Sequence, residues 1–183
     1  MLTESSQTRI ASALLAMHND GWAVTFPELA TDQPPPVIAK RYPEIPKDYR
    51  LFLGMCGSCF NPKNDARIFT NEVFYGVATG VPPWNAHERA SLDAGKPETE
   101  VRAFWDLHLP IGHAPNGESA YFALVTRGEA AGSVVAGHGP DFETSATVVA
   151  ESFTDLLWLI ARGPDAHPAD SAIHQALRNF TQG

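Results

Sequence analysis

Two apolar runs, Leu109-Pro110-Ile111-Gly112 and Tyr121-Phe122-Ala123-Leu124, stand on either side of Asn116-Gly117. This arrangement constrains the fold more than any other feature of the chain. Asn and Gly both tolerate positive φ, so Asn-Gly between strand-like runs predicts a hairpin and therefore antiparallel pairing. Two further strand-like runs follow, Gly132–Ala136 and Thr147–Ala150. Then Phe153, Leu156, Leu157 and Ile160 recur at helical spacing behind Ser152, a candidate N-cap, with Asp155 at the third helical position. The order strand, turn, strand, strand, strand, helix predicts an α+β fold.

That order also resembles the SMI1/KNR4 (SUKH) superfamily. Its Leu-Pro-Ile-Gly strand, Gly-acid turn, aromatic strand, Gly-x-Val strand and Val-Ala-x-Ser-Phe helix start look like Leu109–Gly112, Gly117-Glu118, Tyr121–Leu124, Gly132–Val135 and Val149–Phe153. Upstream, Ile45-Pro46-Lys47-Asp48-Tyr49-Arg50-Leu51-Phe52-Leu53 is similar to the family's Leu-Pro-x-Asp-Tyr-x-x-Phe-Leu helix. The Asn-Gly pair that usually follows is here Met55-Cys56-Gly57, which keeps the Gly and not the Asn. The core resemblance spans residues 36–161, within a single expected domain of 1–183 that carries a C-terminal helical extension at 164–183. It implies an antiparallel sheet of about six strands, with the N-terminal helices and the Ser152–Ala161 helix on one side. For function it implies a non-catalytic protein-binding module, an immunity protein that neutralises a cognate nuclease- or deaminase-type toxin. The alternative is a regulatory or scaffold protein with a signalling or cell-wall-related partner.

Composition agrees with a globular chain of this kind. Of 183 residues, 44% are hydrophobic, enough for one core, and the net charge is −8. An acidic surface opposes nucleic-acid binding, which needs cations for the phosphates, and suits a basic protein partner. No run reaches the roughly 20 apolar residues of a membrane span. Glu4 stands where a secretory leader carries a basic cluster, and two cysteines are too few for a disulfide framework. A cytoplasmic protein without a membrane partner is expected.

Elsewhere, Ile10, Ala13, Leu14 and Met17 predict a first helix, with Thr3 or Ser5 as cap and Gly21 beyond its end. Trp22–Phe26 reads as extended, Val37–Tyr42 as a short helix after three prolines, and Pro46–Leu53 as a helix burying Tyr49, Phe52 and Leu53. Arg67–Thr70 and Val73–Val77 read as two strands. Residues 79–105 are the least defined: Asn85 is a candidate cap for a helix through Leu92, and Val101–Trp105 is open between strand and helix. Ile173, Leu177 and Phe180 predict a last amphipathic helix.

Cys56-Gly57-Ser58-Cys59 has redox-motif spacing but follows a helix C-terminus, the wrong end to lower a thiol pKa, and has no second pair for zinc. The bland reading is two half-buried thiols in a turn. His108 and His113 lie five apart, which in a regular strand puts the rings on opposite faces. His113, His138 and Asp141 form the best available metal set, without local support. A loop His/Asp hydrolase is therefore the weakest functional reading, and no nucleophile elbow, phosphate loop or dinucleotide fingerprint occurs. No catalytic, cofactor-binding or metal-binding residue is assigned. The expected partner-binding residues are Glu72, Trp84, Asp106, Glu118, Asp141 and Glu143, acids near strand ends plus one aromatic anchor.

Overall fold

Seven strands among the described residues pair in sequence order as one antiparallel sheet. They are β1 (Ala23–Thr25), β2 (Ser58–Asn61), β3 (Ala66–Ile68), β4 (His108–Ala114), β5 (Ala120–Val125), β6 (Val134–His138) and β7 (Thr147–Ala150). The computed structural model describes residues 5–27, 31–80, 82–115, 119–139 and 141–181. Asn116, Gly117 and Glu118 lie outside them. The antiparallel pairing of β4 with β5 that Asn116-Gly117 predicts is present, from His108↔Val125 to Ala114↔Ala120. Ser58–Asn61 is a strand and not part of a turn, and among the described residues the sheet has seven strands rather than about six.

Around the sheet lie α1 (Ser6–Asn19), α2 (Pro36–Arg41), α3 (Lys47–Met55), α4 (Asn71–Phe74), α5 (Ala86–Asp93), α6 (Glu98–Trp105), α7 (Phe153–Arg162) and α8 (Ala172–Thr181). Ser5 caps α1 by accepting from Thr8 N at 3.2 Å. Ser152 caps α7 by accepting from Asp155 N at 3.1 Å, and its hydroxyl donates to Asp155 Oδ2 at 2.7 Å. Asp48, on the first turn of α3, joins two helices: its Oδ2 accepts from Thr154 N and Thr154 Oγ1 of α7 at 2.9 and 3.2 Å. Tyr49 beside it donates through its hydroxyl to Phe69 O at 2.7 Å. The Asp-Tyr pair thus ties α3 to α7 and to the end of β3.

Val73–Val77 is not a strand. Val73 and Phe74 sit in the single turn of α4, where Phe74 packs edge-on against Tyr49 and Phe69. The open choice at Val101–Trp105 resolves to helix α6. The C-terminal extension is part of the core: Phe180 of α8 stacks on Phe122 of β5 at 4.0 Å, and Asn61 Nδ2 donates to Phe180 O at 3.1 Å.

Strand β5 explains the layering. Ala120, Phe122 and Leu124 face the larger core, together with buried residues of α1, α3, α7 and α8. Tyr121, Ala123 and Val125 face a second, smaller core with Val101, Trp105, Val135 and Phe142. The N-terminal helices and α7 share one side of the sheet, as expected, and α5 and α6, for which no side was expected, cover the other. Every residue of β5 is buried, which its unbroken apolar run requires.

A register shift between Pro110 and Gly112 changes which way β4 points afterwards. His108 lies opposite Val125 and His113 opposite Tyr121, both members of the second core. The two imidazoles therefore share a face, contrary to the spacing argument, because one extra residue restores parity.

Candidate functional site

Four of the six expected partner-binding residues gather along the α5–α6 layer, in two groups. At one end, Arg41 donates to Glu88 through two nitrogens at 2.7 and 2.9 Å, and to Asp106 Oδ1 through Nε at 2.9 Å. Its guanidinium carbon also lies 5.8 Å from the centre of the Trp84 ring, and Tyr42 meets that ring edge-on at 6.3 Å. Burial opposes the charge on Arg41, but its hydrogen bonds to Glu88 and Asp106 and their negative charge outweigh it, and its pKa rises. Trp84 is half-buried, so it is neither a free anchor nor a core residue.

At the other end, Lys96 bridges Asp141 at 3.0 Å and Glu143 at 3.2 Å. Trp105 is fully buried and donates through Nε1 to Glu143 Oε1 at 3.1 Å. Burial alone would raise the Glu143 pKa. The Ser91 hydroxyl, its own backbone N–H, Lys96 and Trp105 reverse that and leave it lowered. Tyr42 Oη donates to Trp105 O at 2.7 Å, which links the two groups through the end of α6. Asp106, Asp141 and Glu143 therefore already hold cations of the chain itself. Their positions near strand ends were legible in the sequence. Arg41 and Lys96 were not, since Arg41 lies 47 and 65 positions from its acids.

Glu72 stands apart. It is exposed, on the second residue of α4, and makes no ion pair with a described residue. It shares a rim of the sheet with exposed apolar groups. Gly57 N donates to Thr25 O at 2.8 Å, and Thr70 Oγ1 donates to Gly57 O at 2.6 Å. Phe26 and α4 thus leave the same end of β1, β2 and β3. Phe26 is 90% exposed, and Tyr75 and Val77 beyond α4 are also largely in solvent. Reading residues 73–77 as a strand concealed this rim, because alternation would have buried Tyr75 and Val77. Glu118 lies outside the described residues.

Two cysteines sit deep in the larger core. Cys56 donates to Ser58 O at 3.2 Å, and contact with Cys56 together with burial holds the Cys59 thiol well above its usual pKa. Both are buried rather than half-buried, and Cys59 lies within β2. His113 does not turn toward His138 and Asp141. Its Nδ1 lies 3.3 Å from Nε2 of His87, inside the second core. Among the described residues no group of three or more His, Cys, Asp or Glu side chains could hold a metal ion. On the helical side, an open groove of about 550 Å³ runs past Arg9, Glu151, Asp155, Trp158, Arg162 and Ile173. None of the five expected residues that are described lines it.

No family model, curated protein or solved structure matches this chain. Among the described residues, no helix is long and apolar enough to cross a membrane.

Proposed function

We propose that the chain is a non-catalytic binding module of the immunity type, which occupies and neutralises a basic toxin domain acting on nucleic acid. The carrying observation is the rim where the exposed carboxylate of Glu72, which pairs with no cation among the described residues, lies with Phe26, Tyr75 and Val77. Exposed aromatic and aliphatic groups bordered by free charge are the composition of an interface anchor with a polar edge. The net charge of −8 supports a cationic partner, because complementary fields speed encounter. A surface that binds phosphates is cationic, so an acidic protein can cover it.

The test is binding kinetics against the product of the adjacent gene, at low and high salt. Association should slow as salt rises, since exposed charges are screened beyond about 8 Å at physiological ionic strength. Glu72→Lys should lower the association rate, and Tyr75→Ser should raise the dissociation rate. Absence of binding, together with no protection of cells that express that product, would refute the proposal. A salt-independent association rate would remove its electrostatic part.

A further inference from the structure

Helix α5 is docked onto the sheet almost entirely by polar groups. Its buried residues are His87, Glu88 and Ser91, and its apolar contribution to the second core is half-buried Leu92. His87 is 2% exposed and is surrounded by rings: His113 and Tyr121 at 5.2 Å, Phe142 at 4.9 Å and Trp105 at 6.1 Å between centres. The contact with His113 is a single N–H···N bond that neutral imidazoles can make. With both rings protonated, N–H is set against N–H and the bond is lost.

We propose that α5 is an acid-released latch, which undocks from the sheet on acidification and uncovers the aromatic face of Trp105, Tyr121 and Phe142 while the larger core stays folded.

The charged and titratable groups around the pair favour release. Arg67 of β3 lies opposite His113 and opposes a second positive charge there. Tyr121 of β5 donates its hydroxyl to Phe142 O and offers no negative charge. Burial lowers the pKa of His108 of β4, against the opposing hydrogen bond to Phe104 O. Glu88 on α5 itself is engaged by Arg41 of α2, which also holds Asp106, while Glu143 and Asp141 are engaged by Lys96. Among the described residues no carboxylate hydrogen-bonds either imidazole of the pair.

Burial, reinforced by His113 beside His87 and by Arg67 beside His113, lowers the pKa of His87 to about 3 and that of His113 to about 4. A released histidine takes up a proton near its ordinary value of about 6.5. The released form therefore binds protons that the docked form refuses, and docking weakens as pH falls below about 6.5. Each histidine can shift the equilibrium by up to about tenfold per pH unit, and the pair by up to about a hundredfold.

The test is hydrogen exchange read by mass spectrometry on the full chain at pH 7, 6 and 5, with labelling times scaled for intrinsic exchange. Peptides from α5 should lose protection by tens-fold to a hundredfold per pH unit between pH 6 and 5, while α7 keeps its protection. The double variant His87→Phe, His113→Gln should lose that pH dependence. Proton NMR of the wild-type imidazoles supplies a readout independent of the variant, and both should titrate well below 6.5. Equal α5 protection at pH 7 and 5, loss of protection in α5 and α7 together, or either imidazole titrating at 6.5 or above would each overturn the latch.

Discussion

Tyr121 and Gly137 stand opposite each other on β5 and β6, and the pair shows how one missing side chain sets a local structure. A Cβ on Gly137 would lie 2.5 Å from Oη of Tyr121 and 2.6 Å from its ring. The ring is fully buried and its hydroxyl is committed to Phe142 O at 2.6 Å, so it has nowhere to move. Gly137→Ala should therefore cost about 1–3 kcal/mol, as overpacking in a close-packed core does. A urea titration comparing Gly137→Ala with Gly128→Ala separates the two causes. Gly128 has open space around its Cβ but a φ of +89°, so its cost is backbone strain alone and should stay near 1 kcal/mol. Equal losses at both positions would contradict the clash. Nothing at Gly137 advertises this role, because Tyr121 is 16 residues away and its rotamer is set by the layer above.

At the scale of elements, α7 is the most self-specifying helix. Its cap, its acid at the third position and its apolar stripe are all local, and each is realised. Phe153 and Leu157 are fully buried, and Phe153 lies 4.7 Å from Tyr49 and 4.9 Å from Phe52 between ring centres. Phe153→Ala or Leu157→Ala should cost about 2–5 kcal/mol by denaturant titration. Losses under about 0.5 kcal/mol at both would mean the face is misassigned. By contrast, residues 73–77 read as a strand from sequence, yet their first two belong to α4. Val73, Phe74, Tyr75 and Val77 favour strands individually, but adjacent Val73 and Phe74 both reach the core from a single turn after Thr70. Cys56–Cys59 reads as a turn because Gly57 and Ser58 are turn-like, while the strand that begins at Ser58 owes its character to pairing with β1 and β3.

At the scale of the whole molecule, Arg41 fastens the smaller layer to the larger one. It follows Ile38 of the larger core on α2 and grips Glu88 on α5 and Asp106 at the end of α6. The Glu88 side chain is 7% exposed, so its loss leaves a half-buried cation with one partner fewer. Glu88→Gln should cost about 1–3 kcal/mol, since breaking a buried pair leaves uncompensated charge. The exposed pair of Arg102 and Glu98 on α6 is the control, and Glu98→Gln should change stability by less than about 0.5 kcal/mol. Thermal melts of the two variants side by side give the comparison, and equal shifts would mean that Arg41 carries no special weight.

The sequence by itself determined what short-range physics controls. Period-two and period-3.6 apolar patterns, caps and turn residues specified β4, β5, β6, β7, α1, α3, α7 and α8, and with them the α+β class. The unbroken apolar run of β5 also held the signal for a second layer, since a strand exposed on one face would alternate. Only the tertiary structure decided the rest. The bulge in β4 brought His108 and His113 to one face, the packing of α5 placed His87 on His113, and contacts across 47 and 65 positions gave Asp106 and Glu88 their cation. These depend on where distant segments meet, and local propensity and charge counts carry no information about that distance.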